Sequence, residues 1–102
     1  MTTSESTGTR RVTLIMRDES SYNAESWCVE VPADTSPDDM SAAAVLAWLD
    51  GCLQREAETG EESWQVETWT RWRDDIESTR DLGVLDDSWD VIGVVDGWVT
   101  LL

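Results

Sequence analysis

The segment from Ser36 to Gly60 constrains the fold more than any other. Ser36 suits an N-cap, Pro37 suits the first helical position, and Asp39 adds a weak capping box. On a helical projection Ala42, Val45, Leu46, Leu49, Cys52 and Leu53 fall on one face, and Gly60 suits the position just past a last turn. The spacing predicts a helix from Pro37 to about Thr59. Gly51 lies mid-helix on its outer face, at a cost of about 1 kcal/mol relative to alanine. A helix with one apolar stripe has to bury it against another layer, so the flanking segments must supply that layer.

Those segments read as strands. RVTLIMR, from Arg11 to Arg17, is rich in β-branched residues and places Val12, Leu14 and Met16 on one face. After the polar stretch DESSYNAES, WCVEV puts Trp27, Val29 and Val31 on one side and Cys28 and Glu30 on the other, and Pro32 ends it. Two such runs around a polar connection predict an antiparallel hairpin. Past the helix, SWQVETWTRWR, from Ser63 to Arg73, alternates as a third strand. Asp74 to Leu82 reads as helical or irregular, with a single turn as one form. Trp89 to Val95 is a fourth strand, and Asp96-Gly97 is a hairpin signal into a short last strand, Trp98 to Leu102.

The expected fold is therefore α+β, with a single helix packed on one face of a mostly antiparallel sheet of four to five strands in the order ββαβββ. This order resembles a β-grasp (ubiquitin-like) layout in topology; no motif carries the resemblance. Residues 1–9 read as a disordered polar lead-in and residues 10–102 as one domain.

Charge decides which functions are open. There are 22 Asp and Glu against seven basic residues, all arginine, for a formal net charge of -15. Hydrophobic residues make up 40% of the chain, enough for one core, so charge alone does not imply disorder. Direct binding to DNA, RNA or an anionic membrane is disfavoured, because nucleic-acid binders carry the opposite footprint. No apolar run spans a bilayer, and MTTSESTGTRR lacks the apolar core of a signal peptide, so a cytoplasmic location is expected. In that compartment Cys28 and Cys52 are expected as free, buried thiols.

The catalytic inventory is thin. Histidine and lysine are absent, which excludes Ser-His-Asp and Cys-His triads and Schiff-base chemistry. No glycine-rich phosphate loop is present. Adjacent acids such as Asp74/Asp75 and Asp86/Asp87 make a poor glycosidase pair. A calcium loop starting at Asp86 fits Ser88 and Asp90 but fails at Ile92 and Gly97. No enzyme, metal or cofactor is expected.

What remains is acidity. Asp34, Asp38 and Asp39 stand where acids favour a helix start. Glu56, Glu58, Glu61 and Glu62 surround the helix end, where they oppose its dipole. Asp74, Asp75 and Glu77 form a third group with Asp81, interleaved with Arg71, Arg73 and Arg80; Asp86, Asp87 and Asp90 form a fourth. Carboxylates at i and i+4 on a helix, or i and i+2 on a strand, stand about 6 to 7 Å apart, a spacing like that of successive phosphates. The chain thus resembles, in size and charge, small acidic phage proteins that block CRISPR effectors or restriction enzymes. The resemblance implies a non-enzymatic DNA mimic whose partner is a basic, nucleic-acid-binding protein surface. A halophilic acidic domain and an immunity protein against a basic toxin nuclease are the alternatives. Of the seven tryptophans, Trp27, Trp64, Trp72 and Trp89 are expected in the core and Trp48 at its edge. Trp69, on the polar side of the third strand, is either an exposed anchor or covered by arginines, and Trp98 beside the turn is a second candidate anchor.

Overall fold

The alternating runs at the start of the chain become strands because one face of each has a core to enter. In the computed structural model, which describes residues 8–60, 64–85 and 88–99, β1 (Thr9–Asp18) pairs antiparallel with β2 (Ala24–Pro32), Leu14 opposite Trp27. Thr9, assigned to the lead-in from sequence, already belongs to β1. Val12, Leu14 and Met16 are buried on one face, as their spacing predicts, and Val31 joins them. The third strand, β3 (Trp89–Asp96), pairs antiparallel with β1, so the sheet order is β2-β1-β3 with β1 central. A bulge opposite Ile15/Met16 leaves Ile92 as the extra residue of β3.

α1 (Met40–Thr59) follows the expected bounds closely, with one correction at its start. Pro37–Asp39 forms a 3-10 turn, and neither Ser36 nor Asp39 makes a side-chain cap. The amides of Asp39 and Met40 bond instead to the carbonyls of Ser36 and Pro37, so backbone groups satisfy part of the helix start. Gly60 ends the helix in the left-handed region, φ 73°, donating its N–H to the Glu56 carbonyl. The buried stripe is Ala42, Ala44, Val45, Trp48, Leu49 and Cys52, with Leu46 and Leu53 half-buried at its margin. Trp48 is thus inside the core rather than at its edge. Its ring stands 5.2 Å from that of Trp27 on β2 and 5.7 Å from that of Trp89 on β3, and those two rings stand 5.2 Å apart.

The largest departure from the sequence reading is Trp64 to Thr79. This segment is a second helix, α2, not a strand, and it absorbs most of the stretch expected to be helical or irregular. Trp72 and Ile76 are buried and Trp69 is half-buried against the core, a spacing of three and four that only a helix puts on one face. α2 packs chiefly along α1, and Arg73 donates to Asp50 across the two helices at 3.3 Å. The element order among the described residues is therefore ββααβ. The protein is α+β with a long helix on a three-stranded antiparallel sheet plus a second helix, and among the described residues the expected four to five strands and β-grasp-like order are not found.

The segment after β3 is the second departure. Gly97 turns at φ 79° and donates its N–H to the Arg11 carbonyl at 2.9 Å. The chain then crosses the sheet face opposite the helices instead of adding a strand: Trp98 Nε1 donates to the Val29 carbonyl at 3.0 Å. Thr13, on that outer face, is fully buried beneath it. Its hydroxyl donates to the Gly97 carbonyl at 2.7 Å and accepts from the Val99 N–H at 2.9 Å. The rest of the expected last strand, residues 100–102, lies outside the described residues, as do residues 1–7 of the lead-in. A Thr13→Val substitution leaves both backbone groups without their partner and is expected to cost about 1–2 kcal/mol. Hydrogen exchange should then show the Val99 amide losing protection while the amides of β1 keep theirs.

Candidate functional site

α2 and the facing side of α1 display the acids because their apolar residues are already committed inward. On α2, Trp69, Trp72 and Ile76 take the inner face, which leaves Glu67, Thr70, Arg71, Asp74, Asp75 and Ser78 on an open outer surface. Glu67, Arg71 and Asp75 are spaced by four and so stand one above another, an arginine between two carboxylates. Asp74 lies 3.6 Å from Arg73. Asp75 and Glu77 are exposed in the C-terminal part of α2, whose last turn carries no basic residue. Glu77, in that last turn, opposes the dipole of its own helix, and Asp75 stands one residue before the turn.

Glu77 faces a second feature. A groove of about 490 Å³ runs between the end of β2, the β2–α1 connection and the two helices. Its floor includes Ala43, Leu46 and Ala47; its carboxylates are Asp34, Asp39, Asp50 and Glu77, Glu30 borders it from β2 with its own carboxylate accepting from the Thr9 hydroxyl at 2.6 Å, and Arg80 is the basic residue lining it. Asp50 engages Arg73, and this hydrogen bond, with the charge of Asp50, raises the already high pKa of that arginine. Glu30, Asp34, Asp39 and Asp50 were not among the sequence-selected residues. Asp34 and Asp39 read as dipole partners of α1, and nothing marks Asp50 until α2 is known to lie beside it.

The other selected residues are dispersed. Glu58, exposed, accepts from Gln54 at 3.3 Å in the last turn of α1, and Glu56, two residues before it, is half-buried. Arg73 pairs with Asp50, eight residues or roughly 12 Å along α1 from Glu58, so the Asp74–Glu77 region lies further still from this end of α1. Glu61, Glu62, Asp86 and Asp87 lie outside the described residues. Asp90 sits on the outer sheet face, bonded to Arg17 at 2.9 Å. Trp69 is no exposed anchor, because the helical period turns it toward the core. Trp98 is exposed, with the Arg11 guanidinium 4.4 Å from its ring centre.

No protein-family model, curated protein or solved structure matches the chain. The functional reading therefore rests on the charge and geometry of the chain itself. Among the described residues no cluster of three or more Cys, Asp or Glu is arranged to hold a metal ion, and no helix is long and apolar enough to cross a membrane. Both cysteines are free, but only Cys52 is buried; Cys28 is exposed on β2, which corrects the expectation of two buried thiols. Burial pushes the Cys52 thiol up, against the opposing pull of Arg55, so it stays protonated over a wider range than an ordinary thiol. Asp18 is held below the usual carboxylate value by the Ser20 hydroxyl and then by backbone N–H groups of the β1–β2 turn. Its folded-state pKa is depressed, so its stabilising contribution is present above the unfolded value and is lost as pH falls through the folded one.

The two layers differ in charge. The described residues from Asp34 to Asp81, which build the helical layer, hold eleven carboxylates against four arginines. Those of the sheet and its turns, Gly8–Ala33 and Ser88–Val99, hold six against three. Two of those three, Arg10 and Arg17, make ion pairs with Asp96 and Asp90.

Proposed function

We propose that this protein is a small, non-enzymatic acidic inhibitor that acts by mimicking nucleic acid. Its partner is the positively charged nucleic-acid-binding surface of a defence nuclease complex, of the kind targeted by anti-CRISPR or anti-restriction proteins. The observation that carries the reading is the excess of carboxylates on the helical layer, displayed from α2 and from the rim of the groove. Glu77, kept in the last turn of α2 against the dipole of its own helix, adds support. A rigid pair of packed helices presents these charges at fixed spacing, and fixed spacing is what lets a protein replace a phosphate backbone in a cationic channel.

The immobilised protein is expected to capture a nucleic-acid-binding partner that duplex DNA displaces. Affinity should fall by about a hundredfold or more as salt rises from about 0.05 M to about 0.5 M, because contacts between exposed charges are screened. A partner that holds DNA and this protein at the same time contradicts mimicry. Melting in dilute buffer separates the halophilic reading: an acidic domain built for salt loses its structure there, whereas an inhibitor stays folded.

A further inference from the structure

The sheet face opposite the helices differs from the rest of the molecule in both polarity and charge. Its exposed apolar residues are Ile92, Val95, Trp98 and Val99; Ile92 is 56% and Trp98 46% exposed. None of the four packs against the core cluster. Among the described strand residues its charges balance: Arg11 and Arg17 from β1 stand with their cross-strand neighbours Glu30 and Asp90. We infer that this face is a self-association surface, on which a second copy of the chain docks sheet to sheet.

Charge selects a second copy as the occupant. Two molecules of charge -15 repel each other, and the helical layers can approach only at the cost of that repulsion. The outer sheet face is locally neutral and carries both signs, so a twofold arrangement can set arginines of one copy against acids of the other. It also leaves both acidic helical layers pointing outward, separated by much more than the Debye length of about 8 Å at physiological salt. Area sets the strength. The four residues expose roughly 350 Å² per copy, comparable to the largest apolar patch on a typical monomer, which is often functional. At the usual apolar share of an interface, about 57%, two such patches correspond to roughly 1,200 Å² of total buried surface, the lower limit of specific interfaces. An interface at this lower limit should be weak and reversible. The surface is distinct from the helical one, and its test stands or falls separately from the inhibitor reading.

Sedimentation velocity over rising protein concentration tests the assignment, with the wild type beside Ile92→Lys and Val95→Lys. Lysine lowers the net negative charge, so general repulsion cannot account for any weakening. The expected result is a monomer–dimer equilibrium that tightens with added salt and loosens at least about tenfold in each lysine variant. Circular dichroism of the variants checks that both remain folded. Maleimide labelling gives a second reading: Cys28 lies on this face and Cys52 is buried, so labelling of Cys28 should slow as the dimer forms. A monomer throughout the range overturns the inference, as does association that ignores both substitutions. A monomer in which Cys28 labels faster once Thr100–Leu102 are deleted also overturns it, and assigns the face to the chain's own last residues.

Discussion

Trp48→Ala is expected to lower the unfolding free energy by about 3–5 kcal/mol, the largest effect of any single substitution considered. Trp48 is 7% exposed, and its ring is the one contribution of α1 to a three-ring cluster with Trp27 and Trp89. Those partners come from the two outer strands, so the cluster ties both edges of the sheet to the helix. Truncation removes the burial of a large ring, opens a cavity and breaks two ring pairs at once, one tilted and one edge-on. A domain of this size holds only about 5–15 kcal/mol in total, so the alanine variant should be marginal. Trp48→Phe keeps part of the ring and should cost less than half as much. Urea denaturation measures both, and near-ultraviolet circular dichroism should lose the signal of coupled indoles in the alanine variant. A loss below about 1 kcal/mol would show that the cluster is ornamental to the fold.

The same rings explain why part of this structure is legible from sequence and part is not. β1, β2 and α1 announce themselves, because in each a single period governs the apolar positions and a Pro or Gly marks an end. α2 does not. In SWQVETWTRWR, Trp64, Val66 and Trp72 fit a period of two, while Trp69, Trp72 and Ile76 fit a period of three to four. Trp, Val and Thr favour strands on propensity, and the helical reading needs Ile76, which lies beyond the alternating run. Tertiary packing decides it: only as a helix can this segment turn Trp69, three residues before Trp72, to the same side as Trp72 and Ile76, beside α1. The error propagates to the site. With a strand there, Trp69 falls on the outside and Asp50 has no neighbour; with a helix, Trp69 turns inward and Asp50 meets Arg73 and the groove. The acidity itself was readable from composition, but its distribution was not, because which acids share a surface depends on how the two helices lie. The segment after Gly97 shows the same limit. WVTLL has strand propensity, yet Thr13 captures Gly97 and Val99 over the sheet face, and no local pattern reveals a hydroxyl waiting 84 residues earlier.

Neutralising Asp74→Asn, Asp75→Asn and Glu77→Gln together is expected to make the protein more stable and a poorer ligand. On the stability side, Asp75 and Glu77 lie toward the C-terminal end of α2, where a carboxylate opposes the helix dipole by a few tenths of a kcal/mol. Asp74 stands 3.6 Å from Arg73, Glu77 also attracts Arg73, and Asp75 stands one turn from Arg71, but these pairs are exposed, Arg73 keeps Asp50 and Arg71 keeps Glu67, so only a few tenths of a kcal/mol each is lost. Removing three charges from a chain of -15 also relieves self-repulsion. The sum should be a gain of about 0.5–1.5 kcal/mol in low salt, read from urea denaturation, shrinking as salt is added. On the binding side, three charge contacts with a cationic groove should together be worth about a hundredfold or more in affinity for the DNA-displaceable partner. The opposite signs are the substance of the test. Acids present only to hydrate the surface would leave affinity unchanged when neutralised. Acids present for the fold would lower stability when removed. Only acids held at a cost to the fold for the sake of a partner give stability up and affinity down in the same variant, the usual mark of a functional surface.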